Sequence, residues 1–316
     1  MRSLLSSDMT EHSSAIVTTR PPVSTSSATG LWWGLLGVAA FSFTVPLTRV
    51  AVDGLPPLFI GSGRAVVAAV LAMVCLVATR QVLPTGRQWA RLTLVGGGVV
   101  VGFPLLTSFA LTTAPASHGA VVIAVLPAAT AVTAVLRGHE RPPAAFWVAA
   151  GAGAAAAVVF ASAQGGGWGT LHWADLMLFG AVVAASVGYA EGGLLARELG
   201  AWQTVSWALV LCAPLMVALT ALSAARETPQ GTPLEWAAFA YLGVVSMFLG
   251  FFAWYRGLAI GPMAQVSQVQ LVQPVLSIAW AGLLLGEHLA WATVVGGLVV
   301  ILCAASAVRV RLGDRR

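Results

Sequence analysis

The chain contains no lysine, and all 16 of its basic residues are arginine. That absence excludes a G-x-x-x-x-G-K-[ST] phosphate loop and with it an ATP-driven pump of that type. Charge of either sign is scarce. Charged residues make up 9% of the chain, against roughly 25% in a soluble domain, so the surface that water requires is missing. Cysteine is limited to Cys75, Cys212 and Cys303, each inside an apolar run. No C-x-x-C or Cys/His spacing points to a metal, and the three read as reduced core thiols. The histidines His12, His118, His139, His172 and His288 are scattered and form no ligand pair. An integral membrane enzyme needs a nucleophile with its base, or a metal cluster, at membrane depth. The sequence offers neither, so the reading is a non-enzyme without cofactor or metal. The net charge of +5 is no sign of nucleic acid, because the arginines sit singly in short loops instead of forming one patch.

What the chain has is hydrophobic residues, 58% of the total, gathered into runs long enough to cross a ~30 Å hydrocarbon core as helices. The runs are 31–52, 57–79, 89–112, 116–137, 143–163, 173–196, 203–224, 236–258, 264–285 and 289–308. They predict an all-α integral membrane fold of ten transmembrane helices. A backbone in lipid must satisfy its own hydrogen bonds, so weak helix formers such as Val and Gly are acceptable there. Breakers mark several connections, including Gly54-Leu55-Pro56-Pro57 and Gly165-Gly166-Gly167. Residues 1–30 are polar and lack the basic-then-apolar pattern of a cleavable signal. They are expected to be a disordered cytoplasmic tail, and residues 309–316 a basic one.

Orientation follows from the arginines. With the N-terminus inside and the runs alternating, thirteen arginines fall in the cytoplasm and only Arg49 and Arg226 outside, with Arg64 within the second run. Both termini are thus expected to be cytoplasmic. Arginine-only usage with abundant Ala, Gly and Val fits a GC-rich bacterial genome, so the expected location is a bacterial inner membrane.

The chain also repeats itself at an offset of 147 residues, the separation of Glu140 and Glu287. Ala110–Glu140 then falls on Gly257–Glu287 with identities that include Pro115/Pro262, Pro127/Pro274 and Glu140/Glu287. Leu, Val and Ala matches come cheaply in apolar sequence; two prolines and a glutamate in register do not. The repeats are expected at 31–163 and 173–308. Five helices per half is an odd number, so the second half must be inverted relative to the first. Inverted halves give inward-open and outward-open states of similar energy, as alternating access requires.

The segments Phe251-Phe252-Ala253-Trp254-Tyr255-Arg256-Gly257-Leu258 and Gln270-Leu271-Val272-Gln273-Pro274-Val275-Leu276, followed by Leu285-Gly286-Glu287, resemble the second repeat of the drug/metabolite transporter superfamily, EamA type. Gly54-Leu55-Pro56-Pro57 followed by Arg64 resembles that family's opening, while Phe41-Ser42 stands where Trp-Gly is usual. The resemblance implies a secondary transporter with a central cavity, often an exporter of amino acids, drugs or related metabolites. A membrane-embedded regulator that transports nothing is the alternative, and it predicts no polar cavity.

The ninth run carries the most site information. At about 100° per residue, Gln273, Ser277, Gln270, Pro274 and Ser267 share an arc of about 120°. Polar groups in lipid are costly, so this face must meet protein or water, and Pro274 is expected to free a carbonyl beside it. The equivalent face of the fourth run, with Ala120, Ile123, Leu126, Pro127 and Thr130, is mostly apolar. The cavity should be polar on one side only, which suits an amphipathic solute. Pro127 and Pro274 are expected to kink their helices.

Glu191 is the one carboxylate deep within a run, about 9 Å in from Arg197. It must pair with a cation or take up a proton; Arg256 is the expected partner, and a proton or substrate-amine site is the alternative. Arg64 reads as a snorkelling arginine or as a ligand for a substrate carboxylate. His118 reads as interfacial. Glu140 and Glu287 read as structural. Tyr189, Trp254 and Tyr255 are candidates for stacking on substrate. The expected partners are the bilayer, a small-molecule substrate, protons as coupling ions and, left open, a second copy of the chain in a homodimer.

Overall fold

The computed structural model describes residues 27–138, 143–164, 172–260, 266 and 269–313, and no strand occurs among them. The expected N-terminal tail therefore lies almost wholly outside the described residues, as do His139, Glu140, Gly165-Gly166-Gly167, Gln265, Ser267 and Gln268. In chain order the apolar helices are α1 (Ala28–Ala51), α2 (Pro57–Ala78), α3 (Gly86–Ala110), α4 (Ala116–Arg137), α5 (Ala144–Phe160), α6 (Trp173–Leu199), α7 (Ala201–Arg226), α8 (Pro233–Ile260), α9 (Val272–Leu285) and α10 (Trp291–Ser306). Seven are long and apolar enough to cross a bilayer; α5, α9 and α10 are shorter.

Burial is arranged for lipid. On α2, Val70, Val74 and Val77 form an exposed apolar stripe, while Arg64, Ala65, Ala68, Ala69 and Ala72 are buried. Thr107, Ser108, Glu191, Gln270 and Gln273 are buried as well. A protein in water turns such stripes inward and leaves its charges outside.

The repeat is visible in the packing. Each helix rests on its equivalent in the other half or on that helix's neighbour: α2 on α7, α4 on α9, α5 on α10, α1 on α8 and α3 on α6. The halves are therefore interleaved along a broad interface. Small residues permit the closest approaches. A Cβ on Gly98 of α3 would stand 2.3 Å from the Ala184 carbonyl of α6, and one on Gly257 of α8 would stand 2.7 Å from the Gly34 nitrogen of α1. The helix pairs, α3 with α6 and α8 with α1, correspond in the two repeats, and both contacts show the backbone-to-backbone packing that small residues give membrane helices.

Both α3 and α8 pass through a π-helical stretch, Gly96–Gly102 in one and Leu242–Gly250 in the other. The 147-residue offset carries the first onto positions inside the second. Such stretches are rare and cluster at functional sites. α1 is interrupted at Phe43, between Ser42 and Thr44. Pro46 has no N–H to offer the Ser42 carbonyl four residues back, and the Ser277 hydroxyl of α9 donates to that carbonyl at 2.8 Å instead. α4 is interrupted at Ala124-Val125, just before Pro127, and α9 begins at Val272 after a turn at Gln270-Leu271, just before Pro274.

Candidate functional site

Val45 of α1, Ala120, Ile123, Leu126 and Pro127 of α4, and Gln270, Gln273, Pro274 and Ser277 in and just before α9 line a narrow cavity of about 10 Å³. The polar face of α9 thus meets the apolar face of α4, and the wall is polar on one side. One detail differs from the sequence reading: the Gln270 carbonyl opposite Pro274 is not free, because the Gln273 N–H donates to it at 3.1 Å. The chain tightens by one residue there and satisfies the acceptor locally.

A second narrow cavity, of about 20 Å³, adjoins the first at Gln273, which lines both. Phe41 and Thr44 of α1, Arg64 of α2, Val99, Phe103 and Pro104 of α3, Ala185 and Tyr189 of α6, and Ser246, Met247 and Phe251 of α8 complete it. Both π-helical stretches therefore face this chamber. Thr44 and Ser246 share a hydrogen bond of 2.7 Å across the two halves. Tyr189 contacts the rings of Phe41, Phe251 and Trp254 with centroids 5.8–6.4 Å apart. Trp254 lines neither space; it lies one layer behind Tyr189, against the backbone of α1 at Gly37.

Arg64 does not snorkel. It is 1% exposed, and its Nη2 donates to Thr107 Oγ1 at 3.3 Å. α2 turns its valine stripe outward, which leaves Arg64 on the inner face. Gln270 Nε2 and Gln273 Oε1 are buried and have no hydrogen-bond partner among the described residues. Ser267, expected on the same face, lies outside the described residues.

Glu191 is paired, but not with Arg256. Its carboxylate accepts from Arg91 Nε and, at 2.8 Å, from Arg137 Nε, and Arg91 also binds Glu198. Helix geometry explains the correction. Tyr255 of α8 faces α6, where its hydroxyl donates to the Gly188 carbonyl at 3.3 Å. Arg256 is turned about 100° from it and lies over the Trp33 ring of α1, 5.1 Å from the centroid. Arg91 and Arg137 stand at the ends of their runs, where the sequence reading counts them only toward orientation and does not weigh them as partners of Glu191.

At the other end of the bundle, His118 Nε2 lies 2.7 Å from the buried carboxylate of Asp175, so this histidine is paired and not simply interfacial. Glu287 accepts the backbone N–H groups of Ala116 at 2.7 Å and Ser117 at 2.9 Å. It caps the start of α4, where Pro115 has no side-chain acceptor to offer. The structural role read for Glu287 from sequence is the one seen.

Interleaved apolar helices around a chamber with buried polar groups define a polytopic membrane protein of the transporter class. The chain belongs to the EamA-like transporter family, which matches residues 28–162 and 172–309. It is 43% identical over 284 residues to the Bacillus subtilis (strain 168) protein called uncharacterized transporter YdeK, a match covering 87% of this chain and 96% of that one. A protein of known crystal structure shares its fold, with a TM-score of 0.63 at 21% identity over 92% of this chain and 100% of the other.

Proposed function

We propose that this membrane transporter is a secondary exporter of small amphipathic metabolites, such as amino acids or drug-like compounds. It works by alternating access between two inverted repeats, 31–163 and 173–308, each supplying five of ten membrane-crossing helices. The observation that carries the reading is the junction at Gln273, where the polar face of α9 closes a chamber built from both halves. Such a site between repeats is where rocking of one half against the other would change its exposure. Purified protein in proteoliposomes loaded with a mixed metabolite pool is the test, with mass spectrometry as the readout. A defined subset of solutes should leave faster than from protein-free vesicles; release no faster than from those vesicles would overturn the proposal.

The proposed orientation places both termini in the cytoplasm. In a background without the native cysteines, Gly166→Cys and Gln230→Cys should react with an impermeant thiol reagent added outside intact cells, and Gln81→Cys should not. Reaction of all three from one side would remove the inverted arrangement.

A further inference from the structure

Arg64 stands out in the chamber as a charge without a counter-charge among the described residues. Its Nε is buried and has no hydrogen-bond partner among the described residues. Its one bond, to Thr107 Oγ1, is long and reaches a hydroxyl that already donates to the Phe103 carbonyl at 2.7 Å. No carboxylate among the described residues pairs with it; Glu191 and Glu198 bind Arg91, Asp53 binds Arg49 and Asp175 binds His118. A guanidinium stays charged in proteins, and burying one unpaired is expensive. Where this chain uses buried charge structurally, at Glu191, it supplies arginines from two other helices.

We propose that Arg64 is the anion-binding group of the chamber. The solute that enters carries a carboxylate, or a group of like charge and shape, joined to an apolar or aromatic body. Guanidinium geometry matches such a head group in two parallel hydrogen bonds. Phe41, Tyr189 and Phe251 line the same cavity as Arg64 and provide the complementary surface for the body. The solute's own charge then replaces the missing counter-ion, and the cost of burying Arg64 is offset only when the site is filled. This inference rests on the transporter reading in taking the chamber as the transport path.

Thermal unfolding of the full-length protein in detergent tests it, because a ligand that binds the folded state raises the midpoint. The probes are phenylacetate, phenylacetamide and phenethylammonium, with hexanoate, hexanamide and hexylammonium as the aliphatic set. The carboxylates should stabilise the wild type and their neutral and cationic counterparts should not. Arg64→Gln should weaken the carboxylates by about tenfold or more, the scale of a lost charge-assisted hydrogen bond. Arg64→Lys should keep part of the preference, as a point charge without the fork. Equal stabilisation by all head groups, no stabilisation by either carboxylate, or an unchanged preference in Arg64→Gln would overturn the proposal. The wild-type panel decides even where a variant fails to fold. Carboxylate selectivity without flux of any solute would discard the transporter reading and leave the anion site standing; flux without that selectivity would do the reverse.

Discussion

Glu191→Gln should lower the stability of the detergent-solubilised protein by about 3–5 kcal/mol, the usual cost of removing one member of a buried ion pair. Glu191 has 3% of its side chain exposed, and two guanidiniums converge on it. An amide keeps the shape but leaves both positive charges facing each other. The arginines should not be equal. Arg91 is 16% exposed, so Arg91→Gln should cost clearly more than Arg137→Gln. Arg137 is 51% exposed, and its loss should stay within about 1 kcal/mol. The double mutant Glu191→Gln/Arg91→Gln should recover part of the loss, with a coupling of about 0.5–3 kcal/mol. Arg256→Gln should show no coupling to Glu191. Coupling to Arg256 and none to Arg91, measured by thermal unfolding in the same detergent, would discard the network. The network also bears on the proposed transport, because it fastens α3, α4 and α6 together at one end of the bundle. A change of access must either break it or carry the three helices as a unit. Glu191 has its counter-charges in place already, so it does not need a proton to be tolerated at this depth.

What could be read in advance depended on whether the signal was local. The polar arc of α9 and its apolar counterpart on α4 were legible because helical periodicity places residues on faces, and the repeat pairs the two faces. The depth of Arg64 was legible too, but its direction was not. A helix that is apolar toward both lipid and protein gives periodicity little to distinguish, and only the packed structure shows that the valines of α2 face outward. For the same reason nothing in the glycines of α3 or the apolar run of α8 announces a π-helix. The partners of Glu191 were missed because the pairing is long-range: Arg91 lies 100 residues away in the chain. Charge counting used Arg91 only as a marker of the cytoplasmic side, although its place in the first turns of α3 lets it reach α6. The aromatic wall of Phe41, Tyr189 and Phe251 needed three helices from two halves, and no spacing within one helix encodes it.

Gln273→Leu should reduce transport by about tenfold or more, the loss expected when a site built to hydrogen-bond its ligand loses the bonding group. The fold should remain intact. Gln273 lines both parts of the chamber, and its Oε1 has no partner among the described residues. Removing that oxygen breaks no bond seen within the protein, and leucine is close in size. Gln270→Leu should behave similarly but more weakly, since Gln270 touches only one of the two spaces. Ser277→Ala is the instructive contrast on the same face of α9. The Ser277 hydroxyl serves the Ser42 carbonyl that Pro46 leaves open, so its removal should cost about 1–3 kcal/mol of stability as an unmet buried acceptor. The face would then divide into members that hold α1 in its broken shape and members that hold the solute. Flux in proteoliposomes and unfolding in detergent, measured on the same preparations, separate the two roles. If Gln273→Leu destabilises the protein as much as Ser277→Ala and leaves flux per folded molecule unchanged, the α9 face is structural throughout and the transport path lies elsewhere.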